Sequence, residues 1–170
     1  MGANNTQRTM IYTDLQTDRM LAVLDQVSAQ TNSTQQTIEK DWWVTQVLRV
    51  LFSLPYAEHL SFKGGTSLSK AWNIIERFSE DIDIAISREY LGFVGELSRT
   101  QVSDKLRRAA CSFVREKMQH DLRGGLIALG IAPEKFNVYV NITSVSTTDP
   151  EVIYIDYESV LPYSEYIAHT

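Results

Sequence analysis

Two aspartates separated by one residue carry the clearest chemistry in the sequence. Asp81 and Asp83 alternate with isoleucines at positions 82, 84 and 86. Side chains of a strand point alternately to its two faces, so the isoleucines are predicted to be buried and both carboxylates to lie on the opposite face. Their oxygens can then bind one Mg²⁺, or two metal ions about 3.5 to 4 Å apart in a phosphoryl-transfer centre.

A glycine pair upstream supplies a candidate phosphate site. Residues 60–62 are predicted to form a short strand, and Gly64 and Gly65 separate it from a helix that Thr66 or Ser67 can cap. Glycines let backbone N–H groups approach a ligand closely, and the first turn of a helix adds unpaired N–H groups and partial positive charge. This arrangement favours phosphate. The helix is predicted to bury one apolar face, formed by Leu68, Ala71, Trp72 and Ile75.

Three further polar side chains near these motifs are candidate partners of a triphosphate. Lys70 can contact phosphate, although a lysine beside a loop is ordinarily solvent-facing. Arg77 and Ser79 can contact the triphosphate or orient the aspartates. For Arg77, a structural ion pair with Glu80 or Asp81 is an equal alternative. A Gly-Gly turn or an Asp-x-Asp strand is unspecific alone, and it is their order and closeness that favour one joint site.

The elements that must position these motifs follow from periodicity. Apolar side chains at helical spacing predict three helices, over residues 14–30, 35–52 and 101–122. A second glycine pair, Gly124 and Gly125, is predicted to break the third helix rather than to bind phosphate, because no strand precedes it. Alternation over residues 136–142 and 152–158 predicts an antiparallel hairpin that extends the sheet.

Composition limits the class of protein. A chain of 170 residues with 44% hydrophobic content is expected to form one domain over residues 14–170, behind a disordered start over residues 1–13. The net charge of −5 argues mildly against a broad nucleic-acid surface, although it says little about a local patch. No apolar run reaches the length of a membrane span, so a cytosolic protein without a membrane partner is expected. The single cysteine, Cys111, excludes an internal disulfide.

The motifs together resemble a known family. The order strand, Gly-Gly-Thr-Ser, helix, Arg-Phe-Ser-Glu-Asp-Ile-Asp, strand is similar to the signature of the nucleotidyltransferase-fold AbiEii/AbiGii toxin family, within the DNA polymerase beta superfamily. The resemblance is strong over residues 36–86. It implies an α+β, polymerase-beta-like nucleotidyltransferase fold with a mixed sheet flanked by helices. In the preceding helix, Lys40 and Asp41 are expected to form a surface ion pair, and a contact with the nucleotide site is the alternative that the likeness encourages.

The resemblance also implies an activity and partners. A metal-dependent nucleotidyltransferase would move a nucleoside monophosphate from an NTP to an acceptor hydroxyl, which in some relatives of this branch is a tRNA 3′ end. Mg²⁺ is the implied cofactor, and a cognate antitoxin is an implied partner, in a type IV toxin–antitoxin or phage abortive-infection system. Asp81 and Asp83 would be the catalytic metal ligands. The implied nucleotide-binding residues are Gly64, Gly65, Thr66, Ser67, Lys70, Arg77 and Ser79.

A third carboxylate is expected from a neighbouring strand, as in many polymerase-beta-type transferases. Asp156 and Glu158 share one strand face, and either can join the pair, with Asp156 as the expected third metal ligand; exposed acids on a sheet are more often merely solvated. The toxin branch carries a further lysine and aspartate downstream, so a sequence ending at Thr170 is expected to lack the C-terminal part of the family. Two alternatives to an active nucleotidyltransferase are open. One is a catalytically incomplete domain that binds a nucleotide or an antitoxin, and the other is a divalent-metal phosphohydrolase.

Overall fold

The computed structural model describes residues 11–72, 74, 79–141 and 151–162, without the side chain of Gln101. Its helices are α1 (Thr17–Thr31), α2 (Gln35–Leu51), α3 (Gly64–Lys70), α4 (Arg107–Phe113) and α5 (Gln119–Ala128). Its strands are β1 (Leu60–Lys63), β2 (Asp83–Ile86), β3 (Phe136–Val140) and β4 (Ile153–Tyr157). Short 3-10 turns occupy Tyr12–Asp14, Ala57–His59 and Pro133–Lys135. This mixture of helices and antiparallel strand pairs confirms the predicted α+β class.

Helices α1 and α2 form where their periodicity predicts them. Asn32 ends α1 in a left-handed conformation, with φ 55°, which asparagine tolerates better than most residues. Thr34 then caps α2, because its hydroxyl accepts a hydrogen bond from the backbone N–H of Thr37 at 3.2 Å. The buried face of α2 includes Trp43 and Val47.

The strands form two separate antiparallel pairs. β1 pairs with β2, and β3 pairs with β4. The predicted hairpin therefore exists, but the expectation that it extends the first sheet is wrong for the described residues, where each sheet has two strands. Ile84 of β2 and Ile155 of β4 both pack against one hydrophobic core. Side-chain packing, rather than a shared hydrogen-bond ladder, thus joins the two pairs.

A long helical segment crosses the second glycine pair without a break. It begins at Arg99 and continues through α4 and α5 to Ala128, with π-helical turns over Gln101–Leu106 and Val114–Met118. The predicted break at Gly124 and Gly125 is wrong. A Cβ atom built on Gly125 would lie 2.3 Å from Cγ1 of Val50 in α2, so this glycine allows two helices to approach closely.

Helix α3 begins and faces differently from the prediction. Lys63 is its N-cap, so Thr66 and Ser67 lie inside the first turns instead of capping the helix. Because the helix starts at Gly64, these two residues turn inward and are 1% and 5% exposed. The predicted apolar face is wrong: Trp72 lies beyond the helix end and is 70% exposed. Ile75, the last predicted member of that face, lies outside the described residues.

The hydrophobic core lies between α2, α5 and the β3–β4 pair. Its buried members include Trp43, Val50, Leu122, Leu126 and Val138. Of the expected disordered start, residues 1–10 lie outside the described part of the chain, and Tyr12–Asp14 forms a turn. Among the described residues, no helix combines the length and apolar character needed to cross a membrane.

Candidate active site

The β1–β2 pair presents the two predicted acids to solvent. Its register ends with Lys63 opposite Asp83, directly before α3 begins. Asp81 lies two residues before β2, and both aspartates are exposed. Ile82 and Ile84 pack against the core. The predicted alternation is confirmed, with the isoleucines partly buried against the core and the carboxylates outward.

Gly64 is the point at which the glycine motif meets the acidic motif. Its φ is +71°, a left-handed conformation that favours glycine. A Cβ atom on Gly64 would lie 1.9 Å from Oδ2 of Asp83. The missing side chain therefore leaves space for a carboxylate against the backbone, at the exposed start of α3.

Thr66 supports the backbone beside the acids. Its hydroxyl donates a hydrogen bond to the carbonyl oxygen of Asp81 at 2.5 Å, and the carbonyl oxygen of Ser79 lies 3.4 Å away. The family resemblance implies that Thr66 and Ser67 bind the nucleotide. The structure buries both residues and commits the Thr66 proton to the protein, so the accessible part of this motif is the backbone of Gly64 and Gly65.

Charged residues of α2 reach both flanks of the motif. Nζ of Lys70 lies 2.6 Å from Oδ1 of Asp41 and 3.1 Å from the Thr45 hydroxyl. Nζ of Lys40 lies 2.6 Å from Oε2 of Glu80. Lys40 and Asp41 are thus ion-paired, but with the motif, which corrects the expectation of a pair confined to the helix surface. In the sequence, only the opposite charges of these residues, on segments far apart in the chain, indicated that they could pair.

The two aspartates fit the requirements of a magnesium site. Neither carboxylate takes part in an ion pair or hydrogen bond within the described part of the chain. Carboxylate oxygens are the ligands that Mg²⁺ prefers, and one or two of them commonly suffice when substrate phosphates and water complete the octahedron. No group of three acidic, histidine or cysteine side chains suited to a metal occurs among the described residues. Arg77 lies outside those residues.

Asp156 does not join the pair. On β4, Ile155 and Tyr157 pack against the core, so Asp156 projects from the opposite, exposed face. There it lies beside Tyr139, and burial together with a hydrogen bond to Asp156 raises the pKa of the Tyr139 phenol. Among the described residues no group of three acidic side chains suited to a metal occurs, so Asp156 is not grouped with Asp81 and Asp83.

A cavity of about 590 Å³ lies beside the acidic strand. Its charged lining residues are Lys40, Glu80, Asp81, Asp83 and Glu151. Its other walls are largely apolar and come from α2, the helical segment before α5, and β4; they include Trp43, Val47, Met118, Ile155 and Tyr157. The rings of Trp43 and Tyr157 stack at 4.8 Å between centroids. An apolar cavity with a few charged groups is the usual form of a small-molecule site.

Comparison with known protein families matches residues 46–168 to the nucleotidyl transferase AbiEii toxin of type IV toxin–antitoxin systems. The match covers most of the chain and contains the glycine motif and both aspartates. The chain belongs to the AbiEii toxin family. No curated protein and no solved structure matches the chain. Membership confirms the family resemblance, and AbiEii nucleotidyltransferases are toxins of type IV systems by description.

Proposed function

We propose that this AbiEii protein is a magnesium-dependent nucleotidyltransferase that moves a nucleoside monophosphate from an NTP to an acceptor hydroxyl. The observation that carries the proposal is the approach of Asp83 to Gly64, which combines an anionic metal ligand with an accessible backbone loop. Family membership supports the reaction class. As acceptor we propose the tRNA 3′ end, and as physiological setting a cytosolic toxin with a cognate antitoxin.

The chain's own residues would bind and orient the substrate. Asp81 and Asp83 would hold Mg²⁺, while the backbone N–H groups of Gly64 and Gly65 face the phosphates. The Thr66 hydroxyl donates a hydrogen bond to the backbone carbonyl oxygen of Asp81 and so keeps Asp81 in place. Bound Mg²⁺ would neutralise charge on the triphosphate and on the departing pyrophosphate. The acceptor hydroxyl would release its proton to solvent, and its oxygen would form the new bond to the α-phosphorus as the bond to pyrophosphate breaks. Catalysis would then be positioning plus charge stabilisation.

Incubation with each NTP, labelled at the α-phosphate, and with tRNA and Mg²⁺ tests this proposal. We expect label in tRNA with the wild-type chain and none with Asp83→Asn, which keeps the side-chain volume beside Gly64. Glu116→Ala is the control, because it deletes an exposed acid on the helical segment. Labelled NMP or nucleoside diphosphate without labelled RNA would favour the phosphohydrolase, and unchanged bound NTP would favour the incomplete binding domain.

A further inference from the structure

We propose that Lys40 and Asp41 of α2 are positioning residues that brace the connection between α3 and β2 and thereby fix Asp81 against Thr66 of α3. The proposal rests on the proposed function for its catalytic consequence. The structural part stands independently of it, because the brace is defined by contacts within this chain. Both residues precede the stretch that matches the family, which begins at residue 46.

The two ion pairs grip the connection at both ends. Lys70, the last residue of α3, pairs with Asp41, and Glu80, the residue before Asp81, pairs with Lys40. Each nitrogen–oxygen distance is 2.6 Å. Adjacent residues of one helix therefore contact the chain just before and just after residues 71–79. The Thr45 hydroxyl, one helical turn further along α2, adds a 3.1 Å contact to Lys70.

Asp81 needs such support because the β1–β2 ladder does not include it. The ladder begins at Asp83, opposite Lys63. Among the described residues, the backbone before that point contacts α3 through Thr66, whose hydroxyl donates a hydrogen bond to the Asp81 carbonyl oxygen and lies 3.4 Å from that of Ser79. A pair at Glu80 and a hydrogen bond at Asp81 fix two consecutive residues, so they restrict the direction in which the Asp81 carboxylate points.

A buried carboxylate keeps α2 itself from rotating. Glu39 is 1% exposed and accepts hydrogen bonds from the Ser159 hydroxyl at 2.6 Å and the Val160 N–H at 3.0 Å. Successive helical residues are separated by about 100° around the axis. With Glu39 directed into the protein, Lys40 and Asp41 follow on the side of the helix that faces the motif.

The expected effect is local. The ion pairs are partly exposed, with side-chain exposures of 31% and 57% for Lys40 and Glu80 and of 24% and 44% for Lys70 and Asp41. Losing one such pair changes an equilibrium by about two- to fivefold, which is small beside the whole folding equilibrium. A change of this size in the local opening of the chain beside the ion pair is measurable, because it changes the rate of amide hydrogen exchange there.

A charge swap separates bracing from direct phosphate binding. Lys40→Glu places like charges together, whereas Lys40→Glu with Glu80→Lys restores an opposite pair in reversed order. A brace requires only opposite charges, so the swap should restore it. A lysine that contacts triphosphate directly cannot be replaced by glutamate, so the swap would then remain defective. Lys135→Glu is the matched control, since Lys135 pairs with Glu158 at the same 2.6 Å on the β3–β4 side.

Hydrogen exchange followed by mass spectrometry is the first readout and needs no ligand. For peptides covering residues 79–86, we expect exchange to rise about two- to tenfold in Lys40→Glu and to return to the wild-type rate in the swap. Lys135→Glu should leave these peptides unchanged. Unchanged exchange in Lys40→Glu, or no recovery in the swap, would overturn the brace.

Magnesium-dependent NTP binding is the second readout. The dissociation constant should rise by about two- to tenfold in Lys40→Glu and recover in the swap. Recovery of exchange without recovery of binding would overturn the positioning role and assign Lys40 to the ligand. If wild-type protein binds no NTP while exchange behaves as predicted, the proposed function fails and the brace stands.

Discussion

The two glycine pairs show how one dipeptide serves two purposes. In each pair one glycine is constrained and the other has open space around its Cα atom. The constrained glycine of the first pair, Gly64, has a positive φ and faces the Asp83 carboxylate. The constrained glycine of the second pair, Gly125, has helical backbone and faces the Val50 side chain. The first pair therefore belongs to the candidate active site and the second to the packing of α5 on α2.

Gly64→Ala should produce the largest loss. The left-handed backbone alone costs about 1 to 2 kcal/mol for a residue with a Cβ atom. The new methyl group would also displace the Asp83 carboxylate, so magnesium-dependent NTP binding should weaken by about tenfold or more. Calorimetric titration and thermal unfolding measure the two effects. If Gly64→Ala bound NTP as tightly as wild type, Gly64 would not be part of the site.

Gly125→Ala should damage stability and spare binding. Its Cβ atom would lie 2.3 Å from Val50, whose side chain is 4% exposed, and such overpacking typically costs about 1 to 3 kcal/mol. The double variant with Val50→Ala should lose less than the sum of the two single losses, because the smaller side chain removes the clash. Additive losses in denaturant titrations would show that Gly125 is not constrained by Val50. Weakened NTP binding in the folded fraction would show that its role is not limited to packing.

Low pH should lower the stability of the fold by protonating Glu151, which pairs with Arg115. Arg115 binds this carboxylate at 2.6 and 3.0 Å, and the guanidinium holds the Glu151 pKa below its ordinary value of 4.5. A lowered folded-state pKa means stability that is present above pH 4.5 and is lost as the pH falls through the folded-state value. Arg115→Met should lower the free energy of unfolding at neutral pH and flatten this acid dependence. A full acid dependence in Arg115→Met would contradict the assignment.

The unconstrained glycines should give the smallest changes, with the opposite sign. Gly65→Ala and Gly124→Ala introduce Cβ atoms with nothing within 4 Å, and alanine in a helix is favoured over glycine by up to about 1 kcal/mol. Thermal unfolding should show a small gain for each variant. If either variant lost as much stability as alanine at its constrained neighbour, the division of each pair into a constrained and an unconstrained glycine would be wrong.

The acids on the two strand pairs repeat the same contrast. Period-two alternation predicts outward acids on both β2 and β4, and the structure confirms it. On β4, however, Asp156 contacts Tyr139 and Glu158 pairs with Lys135, whereas Asp83 lies against a glycine. Alternation therefore identifies which side chains leave the core, but not which of them remain available to a ligand.

Local patterns predicted the local elements well. Amphipathic spacing and turn residues gave α1, α2, the strand pairs and the outward aspartates, because these depend on neighbours in sequence. The helical passage through Gly124, the burial of Thr66 and the separation of the two sheets were missed. Each depends on a contact with a distant segment, such as Val50 on Gly125 or Asp81 on Thr66, and no local pattern records that contact.

Calorimetric titration with Mg²⁺ and each NTP, with wild type, Asp81→Ala and Asp156→Ala measured side by side, is the most direct test of the metal site. Both variants remove one exposed aspartate, so they match in charge. We expect magnesium-dependent binding in wild type and Asp156→Ala and its loss in Asp81→Ala. Equal binding by all three proteins, or its loss only in Asp156→Ala, would contradict the assignment of the site.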